Sequence, residues 1–349
     1  MIYFVFLIIS FFLVLVFTPI IIRFAKRLKL FDLPGGRKIH KKPVPRLGGI
    51  AIFLSFWITI SIANFMFSNY LVLPKNLFVL FIVSCVFLLF SIYDDIRGIK
   101  AHLKLFLEIV GSIILITLGN FKITNITNQV IGNINFGFLS IPITILWIIY
   151  IMNAINLIDG MDGVAAGVVA ISSFFLFLIS NFQNNEILKF FSIILFGVNI
   201  GFLVFNFPPA KIFMGDCGSL FLGLIISVIA IIGNQKSSVA ISFFVPIILL
   251  IFPIMDTILA IIRRILKGKN IFIGDREHLH HRLLNLGFSD RSILLTIYII
   301  CIYFGLISML TLFIKPKFAF LIFILLLLTV GGLIVILESI ESILKAKRD

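Results

Sequence analysis

Charge is sparse in this sequence. Only 13% of its 349 residues are charged and 15 are acidic, while 61% are hydrophobic. No water-facing surface can be tiled from that composition, so a soluble globular domain is excluded. Cysteine is scarcer still. Cys85, Cys217 and Cys301 lie far apart, which excludes a disulfide framework and a thiolate metal site and leaves them packing roles. No internal repeat of the kind that marks many transporters is present.

What is there instead is apolar length. The mean hydropathy is +1.21, and runs of about 20 apolar residues, each able to cross the hydrocarbon core as a helix, recur from end to end. The pattern predicts an all-α integral membrane protein, a single polytopic domain over 1–349. About eleven transmembrane helices are expected, near 1–22, 48–68, 74–93, 103–119, 139–155, 163–180, 187–205, 217–233, 239–260, 292–313 and 318–337. The first run has no basic residue before it and no small-residue cleavage site after it, so it reads as an uncleaved span.

The basic residues orient the chain. Of 29 Lys and Arg, 23 fall in segments that alternate onto one side and six (Lys75, Lys122, Lys189, Lys236, Lys315, Lys317) onto the other. The positive-inside rule then puts the N-terminus outside and the C-terminus in the cytoplasm, with cytoplasmic loops 23–47, 94–104, 153–163, 206–216 and 261–291 forming the active-site face. The net charge of +14 thereby belongs to loops flanking a membrane, and no nucleic-acid partner is expected. No helix shows a decisive Gly-x-x-x-Gly face, although an apolar surface of this size could support a homodimer.

Carboxylates near a bilayer are expensive, so their positions point to function. Asp94, Asp95, Asp159, Asp162, Asp216, Asp256, Asp275, Glu277 and Asp290 all fall at or beyond the cytoplasmic ends of expected helices, whereas the outer loops hold only Glu186. Asp94 and Asp95 are adjacent at the end of the third span; such like charges favour a bound cation or a transferred proton over mere punctuation. Lys104 taken alone reads as a snorkelling anchor rather than a phosphate contact. Asn153, Asn156, Asp159 and Asp162 recur every three residues and share a helical face, beside Gly160 and Gly163; their hard oxygens suit Mg²⁺ or a nucleoside edge. Asp216 follows the Pro208-Pro209 turn with Gly215 and Gly218 close by; a helix cap alone would explain it, but the glycines clear space beside the carboxylate and favour a ligand over a cap.

The loop 261–291 holds Arg263, Arg264 and the run Arg276-Glu277-His278-Leu279-His280-His281-Arg282. As a helix it would set His278, His281 and Arg282 on one face and leucines on the other, an interfacial amphipathic segment. Zinc is a poor fit without thiolates or a closely spaced Glu, so donors to a diphosphate or sugar are preferred. The outer segment 120–138 alternates Asn and Thr with apolar residues and reads as a small structural hairpin. Glu108 is the one acid well inside a span, the position a cation-coupled transporter would use.

Together Arg37-Lys38-Ile39-His40 through Leu47-Gly48-Gly49, Asp94-Asp95, Asn153 to Gly163, Met214 to Gly218 and His278 to His281 resemble, in order and over nearly the whole chain, the polyprenyl-phosphate N-acetylhexosamine-1-phosphate transferases. The resemblance implies transfer of a sugar 1-phosphate from a UDP-N-acetylhexosamine to a polyprenyl phosphate (undecaprenyl phosphate in bacteria), releasing UMP and starting a lipid-linked cell-envelope glycan at the cytoplasmic membrane. It implies Mg²⁺, with Mn²⁺ as a substitute, held by Asp216 with Asn156. Catalytic roles fall to Asp94, as base, with Asp95, Lys104, His278, His280 and His281. Substrate binding falls to Asn153, Asn156, Asp159, Asp162, Arg264 and Arg282. Leu279 interrupts the histidines, which favours the N-acetylglucosamine branch; the muramoyl-pentapeptide branch and, in another class, a transporter are the alternatives.

Overall fold

The computed structural model describes residues 2–32, 43–67, 76–128, 132–235, 244–266, 268, 282–284 and 286–314, with 318–319, 321–322, 324–329 and 331–332. It is built of helices: α1 (Ile2–Arg27), α2 (Gly48–Met66), α3 (Leu77–Arg97), α4 (Ala101–Thr117), α5 (Ser140–Ile158), α6 (Val164–Phe182), α7 (Glu186–Asn206), α8 (Asp216–Gln235), α9 (Phe244–Leu249), α10 (Ile251–Leu266) and α11 (Asp290–Leu310). Among the described residues eight helices are long and apolar enough to cross a membrane, so the chain is a multi-pass, all-α membrane protein.

Helix is the form these runs must take, because a backbone without water has to satisfy its own N–H and C=O groups within the segment. Buried hydroxyls follow the same rule by bonding back one turn. Thr18 donates to Val14 O at 2.7 Å, Ser55 to Ala51 O at 2.7 Å, Thr59 to Ser55 O at 2.7 Å and Thr144 to Ser140 O at 2.6 Å.

The first eight expected spans each have their helix, with ends displaced by a few residues. The ninth does not form one helix. Leu250 separates α9 from α10, and Pro253 has no N–H to offer the carbonyl of Leu249, which removes one bond of the ladder at this point. Hydropathy averages over the run and is blind to the missing donor. The last expected span lies only partly within the described residues. The expected outer hairpin is present as β3 (Asn125–Asn128) paired antiparallel with β4 (Gly132–Asn135).

At the centre stands α8, which packs against α2, α3, α5, α6 and α7; its crossing stretch is 94% buried, against 28% for α1 and α3. Lipid tails are as apolar as leucine, so such packing rests on close fit rather than on escape from water. Here the expectation that no small-residue face exists is overturned. Gly197 and Gly201 are four apart on α7, and α1 lies on them: an added Cβ at Gly197 would strike Ser10 Oγ, and one at Gly201 would strike the Val14 side chain. This Gly-x-x-x-Gly face is used within the chain, one turn pair away from the end of α7 that leads to the site.

Candidate active site at the start of the central helix

Several distant stretches of chain meet where α8 begins. The first is the segment after β1 (Phe31–Asp32) and β2 (Val44–Pro45), two short strands paired antiparallel. Pro45 O accepts from Phe213 N, Gly48 N donates to Phe213 O and Gly49 N donates to Met214 O, all at 2.9 Å. A Cβ on Gly49 would run into the backbone of Cys217 and Gly218. The Leu47-Gly48-Gly49 motif is thus a backbone socket for the chain entering α8, and glycine is needed because two main chains touch there. Arg46 pairs with Asp32 and reaches Asp95 O at 3.4 Å.

The second stretch is the end of α3. Asp95 turns its carboxylate onto the first turn of α8, accepting from Asp216 N at 3.0 Å and Cys217 N at 3.1 Å. Two of the donors a helix start leaves unpaired are satisfied by a residue 121 positions away, and a negative charge there suits the helix dipole. Gly215, at φ +71°, passes under the same carboxylate; a Cβ would lie 2.6 Å from Asp95 Oδ2. Asp94 instead accepts from Ile99 N at 2.7 Å through Oδ1 and faces Lys104 Nζ at 3.3 Å through Oδ2.

Lys104, in the first turn of α4, joins the acids. Its ammonium pairs with Asp216 as well as Asp94, and the Asp94 and Asp216 carboxyls are within hydrogen-bonding reach of each other. Asn156, from the last turn of α5, closes the ring. With its amide oxygen toward Lys104 Nζ (3.0 Å) and its nitrogen toward Asp216 Oδ1 (3.2 Å) and Ser219 Oγ (3.0 Å), every neighbour is matched; the opposite orientation sets oxygen against oxygen.

The turn after α5 is held by the loop that leads to α8. Asn206 accepts from Gly163 N at 3.0 Å and donates to Ile212 O at 2.9 Å, and Asp162 Oδ2 accepts from Ala210 N at 2.8 Å. The peptide Pro208-Pro209 between them is cis. Asp159 sits between these loops. Burial, and then the negative charges of Asp216, Asp95 and Asp162, push its carboxyl well above the usual carboxylate range.

Thus Asp94, Asp95, Lys104, Asn156 and Asp216 come together as one cluster, with Asp159 and Asp162 at its edge. Asn153 lies one turn earlier on α5 and gives its amide to Glu108 Oε2 at 2.6 Å and Ile149 O at 2.9 Å. Arg264, in the last turn of α10, and Arg282 are both buried. His278, His280 and His281 lie outside the described residues. Sequence reasoning assigned no site role to Arg46 or Ser219, whose partners are remote in sequence. Glu108 carried a signal, as the lone acid inside a span.

Several carboxyls share one ammonium here, with the Arg46 guanidinium acting on Asp216 from a little further off. A surplus of negative oxygen invites a cation. Among the described residues no three His, Cys, Asp or Glu side chains converge as metal ligands. Zinc asks for such a closed set. Mg²⁺ does not: it commonly takes one or two carboxylates and completes its octahedron with water and substrate phosphate. The hard oxygens of Asp216 and Asn156 fit that habit.

Comparison with known proteins places this arrangement. Residues 77–234, the stretch from α3 to α8 that carries the whole cluster, match glycosyl transferase family 4. A "Probable undecaprenyl-phosphate N-acetylglucosaminyl 1-phosphate transferase" of Bacillus subtilis (strain 168) is 36% identical over 303 residues, 86% of this chain and 82% of that protein. The chain belongs to glycosyl transferase family 4.

Two further relatives match most of the chain. A "Decaprenyl-phosphate N-acetylglucosaminephosphotransferase" of Mycobacterium leprae (strain TN) is 31% identical over 318 residues, 84% of this chain and 79% of that one. A "Phospho-N-acetylmuramoyl-pentapeptide-transferase" of Halalkalibacterium halodurans is 31% identical over 317 residues, 86% and 95% respectively. These alignments span most of both chains, whereas the family model itself matches residues 77–234.

Proposed function

We propose that this chain transfers N-acetylglucosamine 1-phosphate from its UDP-linked donor to a polyprenyl phosphate held in the bilayer, with release of UMP. The observation that carries the reading is the convergence of Asp94, Lys104, Asn156 and Asp216 at one end of an apolar bundle. A lipid-borne acceptor and a water-borne donor can meet only at such an end. The names of the Bacillus and Mycobacterium relatives supply the sugar.

In this reading the polyprenyl phosphate oxygen attacks the sugar-bearing phosphorus of the donor. A new P–O bond forms, the P–O bond to UMP breaks, and the sugar's own carbon–oxygen bonds stay intact. Asp94 takes the acceptor's proton, and Lys104 spans the phosphates as charge builds on their oxygens. Asp216 and Asn156 would hold Mg²⁺, which neutralises diphosphate charge; Mn²⁺ would substitute. Asp159 and Asp162 serve the nucleotide side, while Asp95 keeps the first turn of α8 in place. The excess of Lys and Arg on the site side supports a cytoplasmic site in the cell membrane.

The test uses purified full-length protein, undecaprenyl phosphate and donor labelled in both the sugar and the β-phosphate. Both labels should enter the organic phase in equal amounts, with UMP in the water. Release of UDP, leaving the phosphate label behind, would overturn the reading. Turnover only with the muramoyl-pentapeptide donor would keep the chemistry and move the chain to the other branch.

A further inference from the structure

Glu108 is a buried acid for which the reaction above has no use. It lies in α4 one turn beyond Lys104, on the same helical face, and is 1% exposed. Its Oε2 accepts from Asn153 Nδ2 at 2.6 Å; its Oε1 is buried without a hydrogen-bond partner. Asn153 in turn lies on α5, three residues before Asn156. The Glu108 to Asn153 bond therefore ties α4 to α5 one turn below the point where Lys104 donates to the Asn156 amide oxygen at 3.0 Å and both bond Asp216.

We propose that Glu108 is a positioning residue: through Asn153 it fixes the spacing of α4 and α5, and so holds Lys104 and Asn156 bonded to each other and to Asp216. The inference rests on the transferase reading for its kinetic consequences.

The geometry supports this over two simpler roles. A residue serving only to fill space would not be an acid, since an unpaired polar oxygen in an apolar interior is costly. A residue serving only as a counter-charge to Lys104 would not need Asn153, whose second bond, to Ile149 O at 2.9 Å, fixes the amide in the direction of Glu108. Lys104 interacts electrostatically with Glu108 as well as with Asp94 and Asp216, but the hydrogen bond runs to the neighbouring helix. That bond requires an acceptor oxygen and no charge. Small shifts matter at such a place, because a displacement of about 1 Å in a catalytic group can cost on the order of 100-fold in rate.

The experiment compares full-length wild type with Glu108→Gln, Glu108→Ala, Asn153→Ala and the double alanine variant. It reads Mn²⁺ affinity by EPR titration in detergent, alongside kcat and KM for UMP release. Glu108→Gln keeps the acceptor and should stay within about 3-fold of wild type in kcat and Mn²⁺ affinity. Glu108→Ala should lose on the order of 10-fold to 100-fold in kcat with KM changed by less than about 2-fold, and should bind Mn²⁺ more weakly. The double variant should be no worse than the poorer single, as expected of two partners in one bond.

Equal behaviour of the Gln and Ala variants, whether both active or both dead, would overturn the proposal, as would fully additive losses. If Glu108→Ala does not fold, the Gln and Asn153→Ala variants decide, the first expected near wild type and the second impaired. A wild type that binds Mn²⁺ but releases no UMP would sink the transferase reading, and Mn²⁺ affinity would then judge the brace alone.

Discussion

Asp95 and Asp216 lie on different helices, yet the carboxylate of the first accepts the backbone N–H of the second at 3.0 Å, and that of Cys217 at 3.1 Å. The end of α3 is thereby a cap for the start of α8, and the side chain of Asp216 is aimed by a bond that its own segment does not make. Replacing Asp95 by Ala should cost about 0.5–2 kcal/mol, the range measured when a capping acceptor is removed, while Asp95→Asn should retain most of the cap. Thermal unfolding of the detergent-solubilised variants checks this: an Ala variant as stable as wild type would show that the cap contributes nothing.

The socket made by Leu47-Gly48-Gly49 yields a sharper expectation. A Cβ at Gly49 meets backbone rather than a movable side chain, so Gly49→Ala must push two main chains apart. Overpacking of this kind typically costs about 1–3 kcal/mol. The loss should appear as a lower unfolding temperature together with weakened Mn²⁺ binding, since the displaced residues lead directly into Asp216. An unchanged unfolding temperature would mean that the two loops separate freely.

How much of this was readable in advance follows from what each signal depends on. Long apolar runs dictate helices locally, so α1 to α8 and α11 could be placed from sequence. The carboxylates of Asp94, Asp159 and Asp216 stood out because acids at a membrane are rare. What stayed hidden was pairing over distance. Gly48 and Gly49 were visible as a motif, but their partners Phe213 and Met214 are more than 160 residues away, and nothing in the intervening chain encodes that register. Glu108 was visible as an oddity without a partner, because Asn153 stands on another helix. The Gly197 to Gly201 face was in plain view and passed over, and the break at Leu250 escaped because apolarity does not record a missing N–H.

Lys104 pairs with Asp216 and, through Asn156, with both groups proposed to hold the metal. Its ammonium and a divalent cation compete for the same oxygens. Lys104→Met should therefore bind Mn²⁺ at least as tightly as wild type while losing on the order of 100-fold or more in UMP release, since phosphate contacts act chiefly in the transition state. Weaker Mn²⁺ binding in this variant would contradict the competition.

Asp159 gives a pH signature. Its folded-state carboxyl is raised above the unfolded value of about 3.9 by burial and by Asp216, Asp95 and Asp162. The protonated form is the one the fold prefers. Its contribution to stability is complete below the unfolded value and is lost as pH rises through the folded one. Asp159→Asn should accordingly raise the unfolding temperature of metal-free protein at pH 8 and leave it nearly unchanged near pH 4. A gain of equal size at both pH values would show that charge is not the cause.

The central claim is that a metal-dependent phosphosugar transfer is organised around Asp216. UMP release from UDP-N-acetylglucosamine should require undecaprenyl phosphate and Mg²⁺ together, and Asp216→Ala should reduce it on the order of 1,000-fold or more, with protein still folded by its unfolding transition. Release that proceeds without Mg²⁺, or that survives in the Asp216→Ala variant, would contradict it.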